Sequence, residues 1–215
     1  MFKILFFFFI TMNVCATERP PVLKNFIDSN ETDNRVTVVK NLNAEEKAFF
    51  WKNTKINDNG VILKNNPLDA QLTSIDRMFI NSNKKINKSS KIFKYISKTF
   101  DSNNIISELP DSENRITYFI KMPSGIAMLT IHDLAADDYK VTVIADFMNV
   151  KINGNDATIV LINGEEKSNK RRWVLGWFVK DIAYDLQIPD EILANGKTKL
   201  TKDDVLEFAK KITRP

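Results

Sequence analysis

The segment RITYFIKMPSGIAMLTIH, residues 115–132, decides the fold class of this chain of 215 residues. Residues 115–121 are rich in β-branched and aromatic side chains, which favour strands, and Pro123-Ser124-Gly125 has the composition of a turn. Residues 126–132 have the strand composition again. The segment therefore predicts an antiparallel hairpin, because two strands joined by a short turn run in opposite directions.

Two more strands are predicted after this hairpin. Residues 139–152 alternate apolar and polar side chains, and residues 157–162 form a short run rich in β-branched residues. Asn153-Gly154 lies between them and is a turn signal, because both central positions of a tight hairpin turn need positive φ. Together with the first hairpin, these segments predict a four-stranded antiparallel β-meander.

The half of the chain before the meander, about residues 35–110, is predicted to be mainly helical. Apolar residues at helical spacing follow the capping residues Asn43 and Asn66 and recur over residues 89–100. Short strands are expected at residues 35–42 and 61–63, where β-branched residues are concentrated.

Helices are also predicted after the meander. Apolar residues at helical spacing favour a helix over about residues 170–186, and Thr201 is the capping residue of a last helix. We therefore expect an α+β protein in which N-terminal helices precede a four-stranded antiparallel β-meander covered by C-terminal helices.

Residues 1–16 have the three parts of a cleavable signal peptide. Lys3 is their only charge, and an apolar run follows over residues 4–10. Ala16 ends a small-residue cleavage pattern just before Thr17. The apolar run is too short to cross a bilayer core of about 30 Å as a helix. We therefore predict an exported protein, periplasmic or secreted, and the Lys-, Asn- and Ile-rich composition suggests a bacterial source.

Cys15 supports an alternative in which the leader belongs to a lipoprotein and this cysteine is acylated. Residues 17–34 are polar and contain Pro20-Pro21, which is typical of a flexible arm. Residues 35–215 are predicted to form a single α+β domain, helical over about residues 35–110 and built from the meander plus helices over about residues 115–213.

The composition excludes several classes of chemistry. Cys15 is the only cysteine, so the chain after the leader has no disulfide, no thiol nucleophile and no thiolate metal site. It holds one histidine and no GxSxG, P-loop or GxGxxG motif. We therefore expect no metal and no cofactor. The leader carries one Lys and no acidic residue, which leaves a net charge of +3, and an exported protein of this mild charge is not expected to bind nucleic acid.

His132, the only histidine, is followed by Asp133 and is the one imidazole available for general acid–base catalysis. The alternative is a histidine beside an acidic turn, because neighbours along a strand point to opposite faces. A second catalytic hypothesis uses Glu108, Asp111 and Glu113, since paired carboxylates serve glycoside hydrolases. The alternative there is a solvated acidic loop.

A basic stripe is predicted on a helix that extends back past residue 89. An angle of 100° per residue places five lysines on one side of this helix. The stripe consists of Lys84, Lys88, Lys91, Lys94 and Lys98. It suits an anionic membrane surface or an acidic partner, and the alternative is the solvated side of an amphipathic helix.

The helix predicted over residues 170–186 would have two apolar sides. One is aliphatic, and the other carries aromatic residues next to a basic start. The residues of this second face are Arg171, Arg172, Trp173, Trp177 and Tyr184. Trp, Tyr and Arg often dominate the binding energy of protein interfaces, so the face is a candidate partner surface. The alternative is a second layer of the same chain packed against it.

Taken together, these features predict an exported binding or interaction protein rather than an enzyme. An inhibitor or immunity protein against a toxin or a cell-wall hydrolase fits the size of the chain. Two alternatives stay open: a secreted effector or carboxylate-based hydrolase, and a small-ligand-binding module in which aromatic side chains stack on the ligand.

Overall fold

The computed structural model describes the chain in segments. These are residues 36–39, 43–44, 48, 54–57, 60–63, 79, 86–87, 92, 96, 104–110, 112–136, 141–163, 170–191, 193–196 and 199–212. The predicted signal peptide and the predicted arm lie outside the described residues.

The described elements are eleven strands and one α-helix, with one turn of 3-10 helix at Ala145–Phe147. The strands are β1 Val36–Val39, β2 Thr54–Asn57, β3 Gly60–Leu63, β4 Ile105–Pro110, β5 Arg115–Met122, β6 Gly125–Asp133, β7 Val141–Ile144, β8 Val150–Ile152, β9 Asn155–Asn163, β10 Lys170–Val179 and β11 Ile182–Glu191. The helix is α1, Lys202–Ile212.

Seven strands form one antiparallel sheet in the order β4-β5-β6-β11-β10-β9-β8. Its two halves are meanders, β4-β5-β6 and β8-β9-β10-β11, in which strands adjacent in the chain are adjacent in space. The pairing of β6 with β11 joins the halves and places Leu129 opposite Leu186. Two small sheets accompany it, a parallel pair of β1 with β7 and an antiparallel pair of β2 with β3.

The prediction of a helix over residues 170–186 is wrong, because this segment forms β10 and the first half of β11. Trp173 and Trp177 are four residues apart, and that spacing places two side chains on one side of a helix and also on one side of a strand. The spacing therefore did not discriminate between a helix and a strand. Lys180 and Asp181 form a two-residue turn, and Lys180 has a φ of +54°.

The prediction of a four-stranded meander is also wrong, although both of the predicted hairpins are confirmed. The strand predicted over residues 139–152 is two strands, β7 and β8, separated by the turn of 3-10 helix. β7 pairs with β1, and β11 takes the place beside β6. The Asn153-Gly154 turn has the predicted positive φ values of 48° and 85°. Turn signals are local, whereas the choice of a neighbouring strand depends on residues far along the chain.

These differences make the predicted fold class wrong. The described part of the protein is mostly a seven-stranded antiparallel sheet with one C-terminal α-helix, α1, and not a set of N-terminal helices followed by a four-stranded meander. Outside α1, the described residues in α-helical conformation are isolated positions: 44, 48, 79, 92 and 96. The helices predicted from Asn43, Asn66 and residue 89 lie almost entirely outside the described residues. The short strands predicted at residues 35–42 and 61–63 are confirmed as β1 and β3.

One face of the seven-stranded sheet carries the main hydrophobic core. Its largest fully buried side chains on the sheet are Tyr118, Ile120, Leu129, Ile152, Ile159, Leu161, Trp173 and Trp177. Helix α1 covers this face with Val205, Ala209 and Ile212. Thr201 starts the helix: its hydroxyl oxygen accepts a hydrogen bond from the Asp204 amide at 3.2 Å, and its own amide donates to the Asp204 carboxylate at 2.8 Å.

The opposite face of the sheet has two smaller apolar clusters at different places. One combines Ala183 with Leu134, Val141 and Val143, so the β1–β7 sheet packs there. The other is built on Phe119 and Met128. The residues between these clusters are polar, and they form the site described next.

Candidate functional site

A row of small and polar residues crosses five strands of the sheet on the face opposite α1. The strand register places Thr117 opposite Thr130 and Thr130 opposite Asp185. Asp185 is opposite Gly176, and Gly176 is opposite Thr158. We call these five residues the polar row. Neighbouring strands are about 4.8 Å apart, so four steps make the row about 19 Å long.

A hydrogen bond joins the two threonines at one end of the row. The Oγ1 atoms of Thr117 and Thr130 are 2.8 Å apart, and both residues are buried. The pair spans β5 and β6. Gly176 lies on the other side of Asp185 and has no side chain. The side chain of Asp185 is the largest in the row.

Asp185 is unusual among the five residues because its ionisable side chain lies in the interior of the protein. Asp185 is only 6% exposed. Burial raises the pKa of its carboxyl group well above 3.8, while a hydrogen bond from Gln187 and the charges of Arg115 and Arg172 oppose the rise. Its Oδ1 atom has no hydrogen-bond partner. A buried polar atom without a partner costs about 1–3 kcal/mol, so the carboxyl group is held there at the expense of stability.

A short chain of hydrogen bonds leads to this carboxyl group. Arg172 Nη1 donates to Gln187 Oε1 at 3.3 Å, and the side chain of Gln187 is hydrogen-bonded in turn to Asp185. Because the amide oxygen accepts from the guanidinium, the amide nitrogen is the atom that donates to the carboxyl group. Arg172 and Gln187 are both buried.

His132 and Arg115 stand beside the row, directly opposite each other on β6 and β5. His132 is buried and is a diagonal neighbour of Asp185, for which Cα atoms are typically about 7–8 Å apart. Asp133 points to the other face, as strand alternation predicted, and its Oδ1 accepts a hydrogen bond from the Ala136 amide at 3.1 Å. The carboxyl group that shares a face with His132 is therefore that of Asp185.

The aromatic residues predicted to form a partner face lie in the main core instead. Trp173, Trp177 and Tyr184 are at most 4% exposed, and they share one face because their strands pair in register. Trp173 Nε1 donates to Asp190 Oδ2 at 3.0 Å. Of the two neighbouring arginines, Arg172 points towards the polar row, and alternation places Arg171 on the opposite face.

The remaining candidates are not brought together within the described residues. Glu108 is buried on β4, where its Oε1 accepts a hydrogen bond from the Asn87 amide at 2.8 Å. Glu113 is exposed in the turn after β4, and Asp111 lies outside the described residues. All five lysines of the predicted stripe lie outside them too: Lys84, Lys88, Lys91, Lys94 and Lys98.

Sequence reasoning missed Asp185 because residues 170–186 were assigned to a helix. A signal was present: Tyr184, Leu186 and Ile188 alternate with Asp185 and Gln187, which is the pattern of a strand with one apolar face. The role of Arg115, which faces the row from β5, has no local sequence signature.

In the part of the chain that the structure describes, no group of three or more His, Cys, Asp or Glu side chains is arranged to hold a metal ion. Within the same part, no helix has both the length and the apolar character needed to cross a membrane.

Comparison with known proteins gives no significant match to a protein-family model, to a curated protein or to a solved structure. Candidate functions are therefore argued from the geometry of the polar row.

Proposed function

We propose that this protein is an exported binding protein that holds a small polar ligand at the polar row. The observation that carries the proposal is the Oδ1 atom of Asp185, a buried carboxyl oxygen without a hydrogen-bond partner in the middle of that row. A bound ligand would supply the missing hydrogen bond.

The energetic argument compares the two faces of one sheet. The face under α1 is mostly apolar, and the buried carboxylates on it, those of Glu108 and Asp190, accept hydrogen bonds from the protein. The other face keeps charged groups away from water between two apolar clusters. Replacing buried charged groups by apolar residues of similar volume is often neutral or stabilising. A carboxyl group with a strongly shifted pKa is more frequent at functional sites than elsewhere, which supports a binding role here.

A small ligand is proposed in preference to a protein partner for a structural reason. The aromatic partner face required exposed side chains, and Trp173, Trp177 and Tyr184 are buried. The other predicted partner surface, the lysine stripe, lies outside the described residues. An inhibitor or immunity role against a toxin or cell-wall hydrolase would need another surface, so it becomes one outcome of the test.

Export is supported by residues 1–16, whose charge, apolar run and small-residue end match a cleavable leader. Intact-mass measurement of the chain recovered from the periplasm of a bacterial expression host tests this part of the proposal. A mature N-terminus at Thr17 is expected, and an acylated Cys15 would identify a lipoprotein instead.

The binding test uses the chain as the host processes it. Native mass spectrometry would detect small molecules that purify with the protein, and each would be titrated against wild type and Asp185→Asn. Asp156→Asn is the matched control, because Asp156 lies on β9 of the same sheet with its side chain 58% exposed.

We expect the affinity of a captured ligand to change by about tenfold or more in Asp185→Asn, since hydrogen bonds to charged groups contribute about 1.5–3 kcal/mol. Affinity should stay within about twofold in Asp156→Asn, since exposed ion pairs contribute little. A ligand that binds Asp185→Asn with unchanged affinity would contradict the proposal. So would a protein partner, captured equally well by both variants, with no small ligand present.

A further inference from the structure

We propose that the ligand of the polar row is an oxyanion, a carboxylate or phosphate-like group that binds together with a proton on Asp185. This inference rests on the proposed function and adds the chemical class of the ligand to it.

The charges around Asp185 favour an anion. Arg115 faces it from β5 and Arg172 from β10. The exposed carboxylate of Asp156, two residues from Thr158 on the same side of β9, is ion-paired with Lys151 at 2.7 Å. The other described neighbours are His132 on β6 and the uncharged Gln187 on β11, and β9 contributes Thr158. Two guanidinium groups beside one carboxyl group favour an anionic ligand over a cationic one.

The hydrogen-bonding capacity of the row points the same way. Guanidinium groups only donate hydrogen bonds, and threonine hydroxyls can donate them. A protonated Asp185 can also donate one, and its Oδ1 atom has no partner within the protein. An oxyanion only accepts hydrogen bonds, so it is complementary to such a set of donors. An ammonium ligand would meet repulsion from Arg115 and Arg172.

Proton uptake follows from the position of Asp185. Burial already raises the pKa of its carboxyl group. An anion bound at hydrogen-bonding distance raises this pKa further, because a second negative charge disfavours the ionised form. By linkage, the anion then binds more tightly as the pH falls, up to about tenfold per pH unit where one full proton is taken up.

Sulfate is the probe for the test, because it stays a dianion between pH 5 and pH 8 and has no proton of its own to lose in that range. Isothermal titration calorimetry would measure its affinity at constant ionic strength, set with sodium chloride. Repeating the titration in buffers of different ionisation enthalpy counts the protons taken up. Tetramethylammonium is the matched cationic probe.

For wild type and for the Asp156→Asn control, we expect saturable sulfate binding that strengthens several-fold per pH unit as the pH falls. In Asp185→Asn the pH dependence should disappear, and binding at pH 8 should be tighter than in wild type because the competing negative charge is gone. Arg115→Gln should weaken sulfate binding by about tenfold, as expected for loss of a charge-assisted hydrogen bond.

Sulfate affinity that is independent of pH, or that falls as the pH falls, would overturn the inference. Persistence of the pH dependence in Asp185→Asn would also overturn it and assign the proton to His132. Binding of tetramethylammonium at the row, lost in Asp185→Asn, would show a cation site: the oxyanion inference would fail while the proposed binding function stands. No saturable binding of sulfate, together with no small molecule captured in the earlier experiment, would overturn both.

Discussion

Trp177 on β10 and Tyr184 on β11 stack face to face, with ring centroids 5.1 Å apart and ring planes only 6° from parallel. They are directly opposite each other in the strand register, and both are buried in the main core. Aromatic pairs contribute about 0.5–1.5 kcal/mol beyond the burial of their area. The pair therefore stabilises the hairpin that brings Asp185 to the middle of the sheet.

Trp177→Ala is expected to lower the free energy of unfolding by about 3–5 kcal/mol, because it removes a fully buried aromatic side chain and leaves a cavity. Urea denaturation followed by circular dichroism measures the change. Leu193→Ala is the control, since Leu193 is 40% exposed and should cost less than about 0.5 kcal/mol. A stable Trp177→Ala protein would place this side chain on the surface and revive the partner-face hypothesis.

Asp185→Asn is expected to raise the melting temperature at pH 8 by a few degrees. The folded-state pKa of Asp185 is raised, so above that pKa the folded protein must hold a buried negative charge, at a cost to stability. This cost shrinks as the pH falls through the folded-state pKa and is gone below the unfolded value near 3.8. The stability advantage of the variant over wild type should therefore be largest at high pH.

Thermal melts at several pH values between 5 and 8 measure this difference, with the exposed Asp156→Asn variant as the control for a general loss of negative charge. A variant less stable than wild type at pH 8 would mean that the carboxylate has stronger partners than those described.

Asp190 is expected to anchor the segment between β11 and α1. Its carboxylate accepts hydrogen bonds from Trp173 Nε1 at 3.0 Å, from the Glu191 amide at 2.9 Å and from the Leu200 amide at 3.1 Å. Asp190→Ala should lower the free energy of unfolding by about 2–4 kcal/mol, since three donors lose their acceptor.

Trp173→Phe is the comparison for the anchor, because it deletes the indole donor and keeps both backbone hydrogen bonds. We expect it to lose less stability than Asp190→Ala in the same denaturant titration, and the reverse order would contradict the anchoring role.

Asn153 connects the β8–β9 turn to the C-terminal end of α1. Its Nδ2 atom donates to the Lys210 carbonyl oxygen at 2.8 Å, and its φ is +48°. Asn153→Asp should cost about 1 kcal/mol, because it removes the donor and places a negative charge at the negative end of the helix dipole. Asn153→Gly tolerates the positive φ and removes only the donor, so chemical denaturation should show a smaller loss.

The part of the fold that could be predicted is the part with local signals. The hairpin of β5 and β6, the Asn153-Gly154 turn and the start of α1 at Thr201 all depend on residues a few positions apart. The assignment of residues 170–186 to a helix was wrong because Trp173 and Trp177 have a spacing that suits a helix and a strand equally well. The alternation of apolar and polar residues over residues 184–188 was the signal that discriminated between them.

Most of the candidate site could not be predicted from the sequence. His132 was singled out from the sequence, and Asp133 was correctly placed on the other face of its strand. The carboxyl group of that face, Asp185, lies 53 positions further along the chain, and nothing local connects it to His132. The sequence left the burial of Trp173 and Trp177 as one of two alternatives, because an aromatic pattern alone does not say which face the rest of the chain covers.

The sequence by itself determined the turns, the capping of α1 and most strand segments, because these follow from backbone dihedral preferences and from hydrogen bonds between near neighbours. The tertiary structure alone decided that β6 pairs with β11, which face of the sheet carries the main core, and that Thr117, Thr130, Asp185, Gly176 and Thr158 form one row. Strand pairing depends on the free energy of burying whole sheet faces built from distant segments. The polar row therefore exists only in the folded chain.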